Sequence, residues 1–173
     1  MNIESTIYLL DWIFILKGLG LTLFLSFSSM LTGTIIGFII GTIRTSKYRF
    51  IKSLSWVYVY IIRGTPLLMQ LFFVYYGLPI VLGYSVPAFT TAMIGLTIYA
   101  SAYITEIVKS GINSVDIGQI EAAQALGMTS LQVFFRIVLP QALKVIIPPL
   151  AGFFIALIKD SSLVSSIGFM ELT

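Results

Sequence analysis

Arg63, Glu106 and the run Lys159-Asp160-Ser161-Ser162 put charge and hydroxyl groups inside, or at the ends of, strongly apolar stretches. Charge at such positions is costly and marks a binding or conduction role more often than a passive one. The guanidinium of Arg63 presents a planar fork suited to a carboxylate, and the carboxylate of Asp160 suits an ammonium group. The alternative use of the same two residues is a plain Arg63–Asp160 salt bridge that holds helices together. Gln70 follows Arg63 at i+7 and is expected on the same helical face, with Thr65 between them. Tyr99, Tyr103 and Glu106 recur at i, i+4 and i+7, which turns two hydroxyls and one carboxylate in one direction. For Glu106, the competing reading is a snorkelling pair with Lys109 at i+3. Lys159 beside Ser161 and Ser162 also raises serine–lysine hydrolysis, which needs no histidine. Neighbouring helical residues point about 100° apart, and no G-x-S-x-G-like elbow is present, so this reading is weak. The chain has neither cysteine nor histidine, which removes thiol chemistry, disulfides and the commonest metal ligands. No metal site is expected.

These groups must be positioned by elements that live in lipid. Hydrophobic residues make up 58% of the 173 and charged ones 10%, with a mean hydropathy of +1.01, a balance that belongs in a bilayer. Residues 18–43 carry no charge and exceed the roughly 20 residues a spanning helix needs. Gly33, Gly37 and Gly41 within them have the G-x-x-x-G spacing that lets membrane helices approach closely, and Ser26, Ser28 and Ser29 extend the small-residue character. The preceding segment, with Glu4 and Asp11 and no basic cluster, reads as an interfacial helix and not as a signal peptide.

Arg44, Lys47, Arg49 and Lys52 form a short basic loop, which the positive-inside rule places in the cytoplasm. Their clustering at one loop, without a basic stripe along a polar face, argues against nucleic acid. A second apolar run covers residues 54–82 and is broken by Arg63-Gly64-Thr65-Pro66; Arg63 then lies roughly 14 Å deep, where Pro66 and Gly64 loosen the helix. A third run covers residues 87–108. A cytoplasmic segment, 109–136, leads to a fourth span interrupted by Pro140, Pro148 and Pro149. Four spans put both termini outside. The helical periodicity implies one all-α transmembrane bundle over residues 1–173, since an open sheet edge cannot sit in lipid.

Between the third and fourth spans lies IGQIEAAQAL. Asp116 with Gln119 reads as a capping-box start, Gly127 as the C′ residue, and Thr129 with Gln132 as the cap of a further helix. The enclosed helix is about 15 Å long, half a bilayer, so it lies at the cytoplasmic face. Ala122, Ala123 and Ala125 keep it slim, Glu121 and Gln124 add polar contacts, and no basic or aromatic residue anchors it to headgroups. Docking to another protein is favoured over an interfacial role.

Glu121-Ala122-Ala123, then Gly127, then Ile137 and Leu139-Pro140 reproduce the E-A-A, G, I-x-L-P signature of ABC importer permeases. The blocks at 63–79, 103–143 and 159–163 resemble the polar amino acid uptake subfamily. The resemblance covers nearly the whole chain and implies the type I importer permease fold, with five spans, so a fifth is expected beyond Thr173. It implies that about residues 117–127 form the coupling helix, with Glu121, Ala122, Ala123 and Gly127 entering a groove of a separate ATP-binding cassette ATPase subunit. ATP and magnesium would then reside on that partner; nothing here matches G-x-x-x-x-G-K-[ST], and no cofactor is expected on this chain. Further implied are a second permease subunit, identical or not, an extracytoplasmic substrate-binding protein, and a bacterial or archaeal cytoplasmic membrane. The pathway is expected to run past Arg63, Thr65, Gln70, Tyr103, Asp160 and Ser162, with Arg63 and Asp160 holding the carboxylate and ammonium of an amino acid. Such a subunit catalyses no covalent chemistry. A passive channel is the remaining alternative, and it predicts flux without ATP.

Overall fold

The computed structural model describes residues 3–45 and 49–169, with side chains from residue 12 onward. Lys47 of the basic loop, and the side chains of Glu4 and Asp11, lie outside the described residues. Every described element is helical. Helix α1 spans Ile3–Arg44 and α2 spans Arg49–Gly64. The short α3, Leu67–Phe72, passes through a π turn, Phe73–Gly77, into α4, Leu78–Leu82. Helix α5 covers Ala88–Asn113, α6 covers Ile117–Ala125 and α7 covers Ser130–Val133. A second π turn, Phe134–Val138, leads into α8, Leu139–Asp160, and a 3-10 turn, Ser161–Ile167, follows.

Three helical stretches are long and apolar enough to cross a membrane: Trp12–Arg44, Ala88–Asn113 and Ser130–Ile167. The pair Arg49–Gly64 and Leu67–Leu82 makes a fourth only if read as one broken span, because its halves meet at 106°. Two expectations change here. The segment before residue 18 is not a separate interfacial helix, since α1 runs unbroken from Ile3. The prolines do not interrupt the last span: Pro148 and Pro149 stay inside α8, and Pro140 stands in its first turn. Both π turns end two residues before a proline, Pro79 and Pro140. A proline ring clashes with the carbonyl of residue i−4 and donates no amide proton, and a wider turn at that carbonyl relieves the conflict without breaking the helix.

Helix α5 is the hub, with Leu96, Ala100, Ile104 and Val108 fully buried. Along its seam with α1, a Cβ added to Gly33 would come within 2.7 Å of the Ala100 Cβ. At Gly37 and Gly41 it would come within 2.8 Å of the Cβ of Ile104 and of Val108. The pairing advances by four residues on both helices together, so α1 and α5 run in the same direction. The G-x-x-x-G spacing thus does what it implied: absent side chains bring two backbones together. Thr32 and Thr97 share a hydroxyl hydrogen bond of 2.9 Å across this seam, and Thr105 Oγ1 donates to the Gly37 carbonyl at 3.4 Å. Helix α2 is tied to α5 by Tyr58, whose hydroxyl lies 2.5 Å from Ser101 Oγ and donates to the Ile98 carbonyl.

Candidate transport pathway and docking helix

Arg63 stands in the last turn of α2, exposed, with its guanidinium carbon 4.9 Å from the centre of the Tyr103 ring on α5. An arginine over an aromatic face is held by the ring quadrupole, and among the described residues no hydrogen bond or ion pair engages its N–H groups. The cavity beside it, of about 310 Å³, is lined by Trp56, Val59, Tyr60, Arg63, Gly64, Tyr103 and Glu106. Of the three residues that share a face of α5 by spacing, Tyr103 and Glu106 border this cavity and Tyr99 does not. Tyr103 also stacks on Phe153 of α8 at 5.3 Å and 15° and touches Tyr99 at 4.7 Å. The Tyr99 hydroxyl donates to Asp160 Oδ2 at 3.3 Å. A cation and a carboxylate thus sit at opposite ends of a tyrosine pair, and no Arg63–Asp160 salt bridge occurs among the described residues.

Gln70 and Thr65 take other positions. The 106° bend invalidates the i+7 relation between Arg63 and Gln70, which holds only for a continuous helix. Gln70 is instead buried, and its Nε2 donates to the carbonyls of Ile62 at 2.7 Å and Thr65 at 2.8 Å. These acceptors lie where the helix opens and Pro66 offers no donor. The Thr65 hydroxyl donates to the Ile61 carbonyl, and neither residue lines the Arg63 cavity. The Ser162 hydroxyl donates to the Lys159 carbonyl at 2.7 Å, an ordinary helical back-bond that gives no support to a serine–lysine nucleophile.

Glu106 pairs with Lys109 at 3.6 Å, as the i+3 spacing implied. It also pairs with Arg44 at the end of α1, a residue the charge pattern assigned only to the cytoplasmic loop. Arg44 is 4% exposed. The register of the glycine seam sets the Arg44 backbone level with Gly111, and its long side chain reaches back along α5 to Glu106; the only local signal was its position three residues after Gly41.

At the cytoplasmic face, α6 is capped at both ends by its own sequence. Asp116 Oδ1 accepts from the Gly118 amide at 2.7 Å. Gly127 adopts φ +81°, with Met128 N–H bonded to the Ala123 carbonyl and Gly127 N–H to that of Gln124, the paired bonds of a Schellman ending. The Thr129–Gln132 capping box forms as well. The expected partner role of Gln119 in the Asp116 cap does not hold: its side chain instead accepts from Gln141 Nε2 at 2.5 Å. Ala123 is buried at 5% and Ile120 half-buried, whereas Ile117, Glu121, Ala122, Ala125 and Leu126 are exposed. At 100° per residue these five lie on one side, with small residues between an isoleucine at 65% exposure and a leucine at 84%. A shallow groove-filling face is the result.

Residues 33–173 match the family described as "binding-protein-dependent transport system inner membrane component". The chain belongs to that family. The permease is 42% identical over 159 residues to the probable amino-acid ABC transporter permease protein YckA of Bacillus subtilis (strain 168), covering 92% of this chain and 70% of the relative. It is 38% identical over 172 residues to the arginine transport system permease protein ArtQ of the same organism, covering 99% and 78%. Among solved structures, the permease superposes on a chain from "Crystal structure of an amino acid ABC transporter with histidines" with a TM-score of 0.87 and 39% identity, over all of this chain and 79% of the other. A chain of the inward-facing MetNI methionine ABC transporter shares the fold at a TM-score of 0.76 and 24% identity, over 96% and 77%. The permease is accordingly a multi-pass membrane protein of the importer type, as its signature residues implied.

Proposed function

We propose that the permease is the membrane-spanning subunit of an ATP-driven amino acid importer in a bacterial cytoplasmic membrane. In this reading α6 docks in a separate ATP-binding cassette subunit, which holds ATP and magnesium. A second permease subunit completes the pathway, and an extracytoplasmic binding protein delivers the substrate. The observation that carries the substrate class is the placement of opposite charges at the two ends of the Tyr103–Tyr99 pair, Arg63 on one side and Asp160 on the other. A zwitterion needs both: a guanidinium fork for its carboxylate and a carboxylate for its ammonium group. The names of the relatives, which include arginine and L-cystine permeases, favour the same class and leave the particular side chain open.

The two steps have different physical bases. Substrate recognition rests on charge in a membrane cavity, where electrostatic contacts are screened little. Coupling rests on fit, because the outward side of α6 offers Glu121 and an apolar row with no basic residue. The test is co-purification with the ATPase subunit, followed by ATP-dependent uptake of a panel of labelled amino acids into liposomes. Asp160→Asn is expected to lower uptake and substrate-stimulated ATP hydrolysis at low substrate; unchanged values would remove Asp160 from the pathway. Uptake that proceeds without ATP would make the protein a channel and overturn the reading.

A further inference from the structure

Helix α6 is seated on the bundle along one side only. A cleft of about 450 Å³ lies beside it at the cytoplasmic ends of the spans, lined among others by Thr45, Ile112, Val115, Ile120, Phe134 and Val138. Ala123 joins the core that contains Val133 and Val138, and Ile120 and Met128 pack against it. These apolar contacts meet the last span in α7 and the π turn, ahead of Pro140. One polar contact reaches past the π turn: Gln141 Nε2 donates to Gln119 Oε1 at 2.5 Å and also to the Ile137 carbonyl at 3.0 Å. The second bond orients the Gln141 amide before it meets α6, which lowers the entropy lost in holding the first.

Where Gln141 stands matters. It is in the first turn of α8, past the π turn and Pro140, so a force applied there bypasses the segment of altered helical bonding. From Gln141 the axis of α8 rises about 18 Å to Phe153 and about 28 Å to Asp160. Those are the two α8 residues in the pathway, Phe153 stacked on Tyr103 and Asp160 accepting from Tyr99. We propose that the Gln119–Gln141 bridge is the positioning contact that passes movement of α6 to α8, and along α8 to Phe153 and Asp160. The proposal rests on the reading of α6 as the docking helix.

The test uses the assembled transporter in liposomes with its ATPase subunit and binding protein, and a labelled mixture of the common L-amino acids as probe. The readout is uptake per ATP hydrolysed, a ratio that mere loss of folded protein leaves unchanged. Gln141→Ala, remote from the outward face of α6, is expected to retain the ATPase subunit while this ratio falls about 2- to 12-fold, the factor equivalent to one neutral hydrogen bond. Gln119→Ala is expected to match it, the double variant to be no worse than either single, and Gln119→Glu with Gln141→Lys to recover most of the ratio. An unchanged ratio in Gln141→Ala, or a double loss equal to the product of the single losses, overturns the bridge. A short bis-maleimide joining Gln119→Cys to Gln141→Cys should leave uptake intact; if it blocks uptake, the two residues must part during the cycle and the proposal fails. Normal coupled transport by Glu121→Lys would instead overturn the docking reading itself, so the two failures are distinguishable.

Discussion

The α1–α5 seam and the α2–α3 bend are both places where a membrane helix departs from an uninterrupted apolar cylinder, and they do so in opposite ways. At the seam, side chains are removed: Gly33, Gly37 and Gly41 leave room for Ala100, Ile104 and Val108, and both backbones stay helical. At the bend, Arg63-Gly64-Thr65-Pro66 breaks the backbone pattern by 106°, and a side chain, Gln70, is added to satisfy the exposed carbonyls. The seam has no spare space; the bend opens on a cavity. Rigid packing thus stands behind α5 while the side that faces the pathway is left accessible, which is the arrangement a substrate site requires.

That contrast is open to attack at four positions. The largest effect is expected at the cytoplasmic end of the seam, where Arg44→Ala would leave Glu106 without its buried partner. A loss of about 3 kcal/mol is expected, the lower part of the range for a broken buried pair because Glu106 is partly exposed and keeps Lys109. Thermal unfolding in detergent would show it, with Arg44→Met/Glu106→Gln recovering most of the loss. Within the seam, Gly37→Leu places atoms where the Ile104 Cβ and the Ser101 carbonyl already lie 2.8 Å from a Cβ. Overpacking of this kind costs about 1–3 kcal/mol, and cysteine cross-linking between α1 and α5 should fall accordingly.

At the bend, Gln70→Ala strips a donor from the Ile62 and Thr65 carbonyls. About 1–2 kcal/mol of destabilisation is expected, together with faster amide hydrogen exchange between α2 and α3 in detergent; equal protection in mutant and native protein would show that another donor fills the gap. The smallest effect is expected at Gly64, where an added Cβ meets nothing within 4 Å. Gly64→Ala should therefore change stability by less than about 0.5 kcal/mol. If Gly64→Ala proved as damaging as Gly37→Leu, the distinction between a packed seam and an open bend would collapse.

What was legible in the sequence was local. Asp116, Gly127 and the Thr129–Gln132 pair act on amides within a few residues of themselves, so residue type and spacing suffice to place the ends of α6. Tyr99, Tyr103 and Glu106 share a direction because α5 is regular, whereas Arg63 and Gln70 do not because the helix between them ends. Charge counting placed Arg44 but missed its partner for a related reason: composition reports that a cation is near the cytoplasmic end, not which acid 62 residues away will be laid beside it.

By itself the sequence determined that the chain is helical and membrane-embedded, where α6 begins and ends, and that glycines would form a close helix contact. These follow from hydropathy, capping and side-chain size, all properties of neighbours along the chain. Only the tertiary structure decided that the glycine stripe meets α5 in parallel register, that the Arg44 side chain reaches back to Glu106, and that Gln70 turns inward to close the bend. It alone set Asp160 and Arg63 at opposite ends of the Tyr99–Tyr103 pair. Such pairings depend on the relative rotation and translation of whole helices, which are set by packing over many residues at once and leave no mark in the spacing of any one segment.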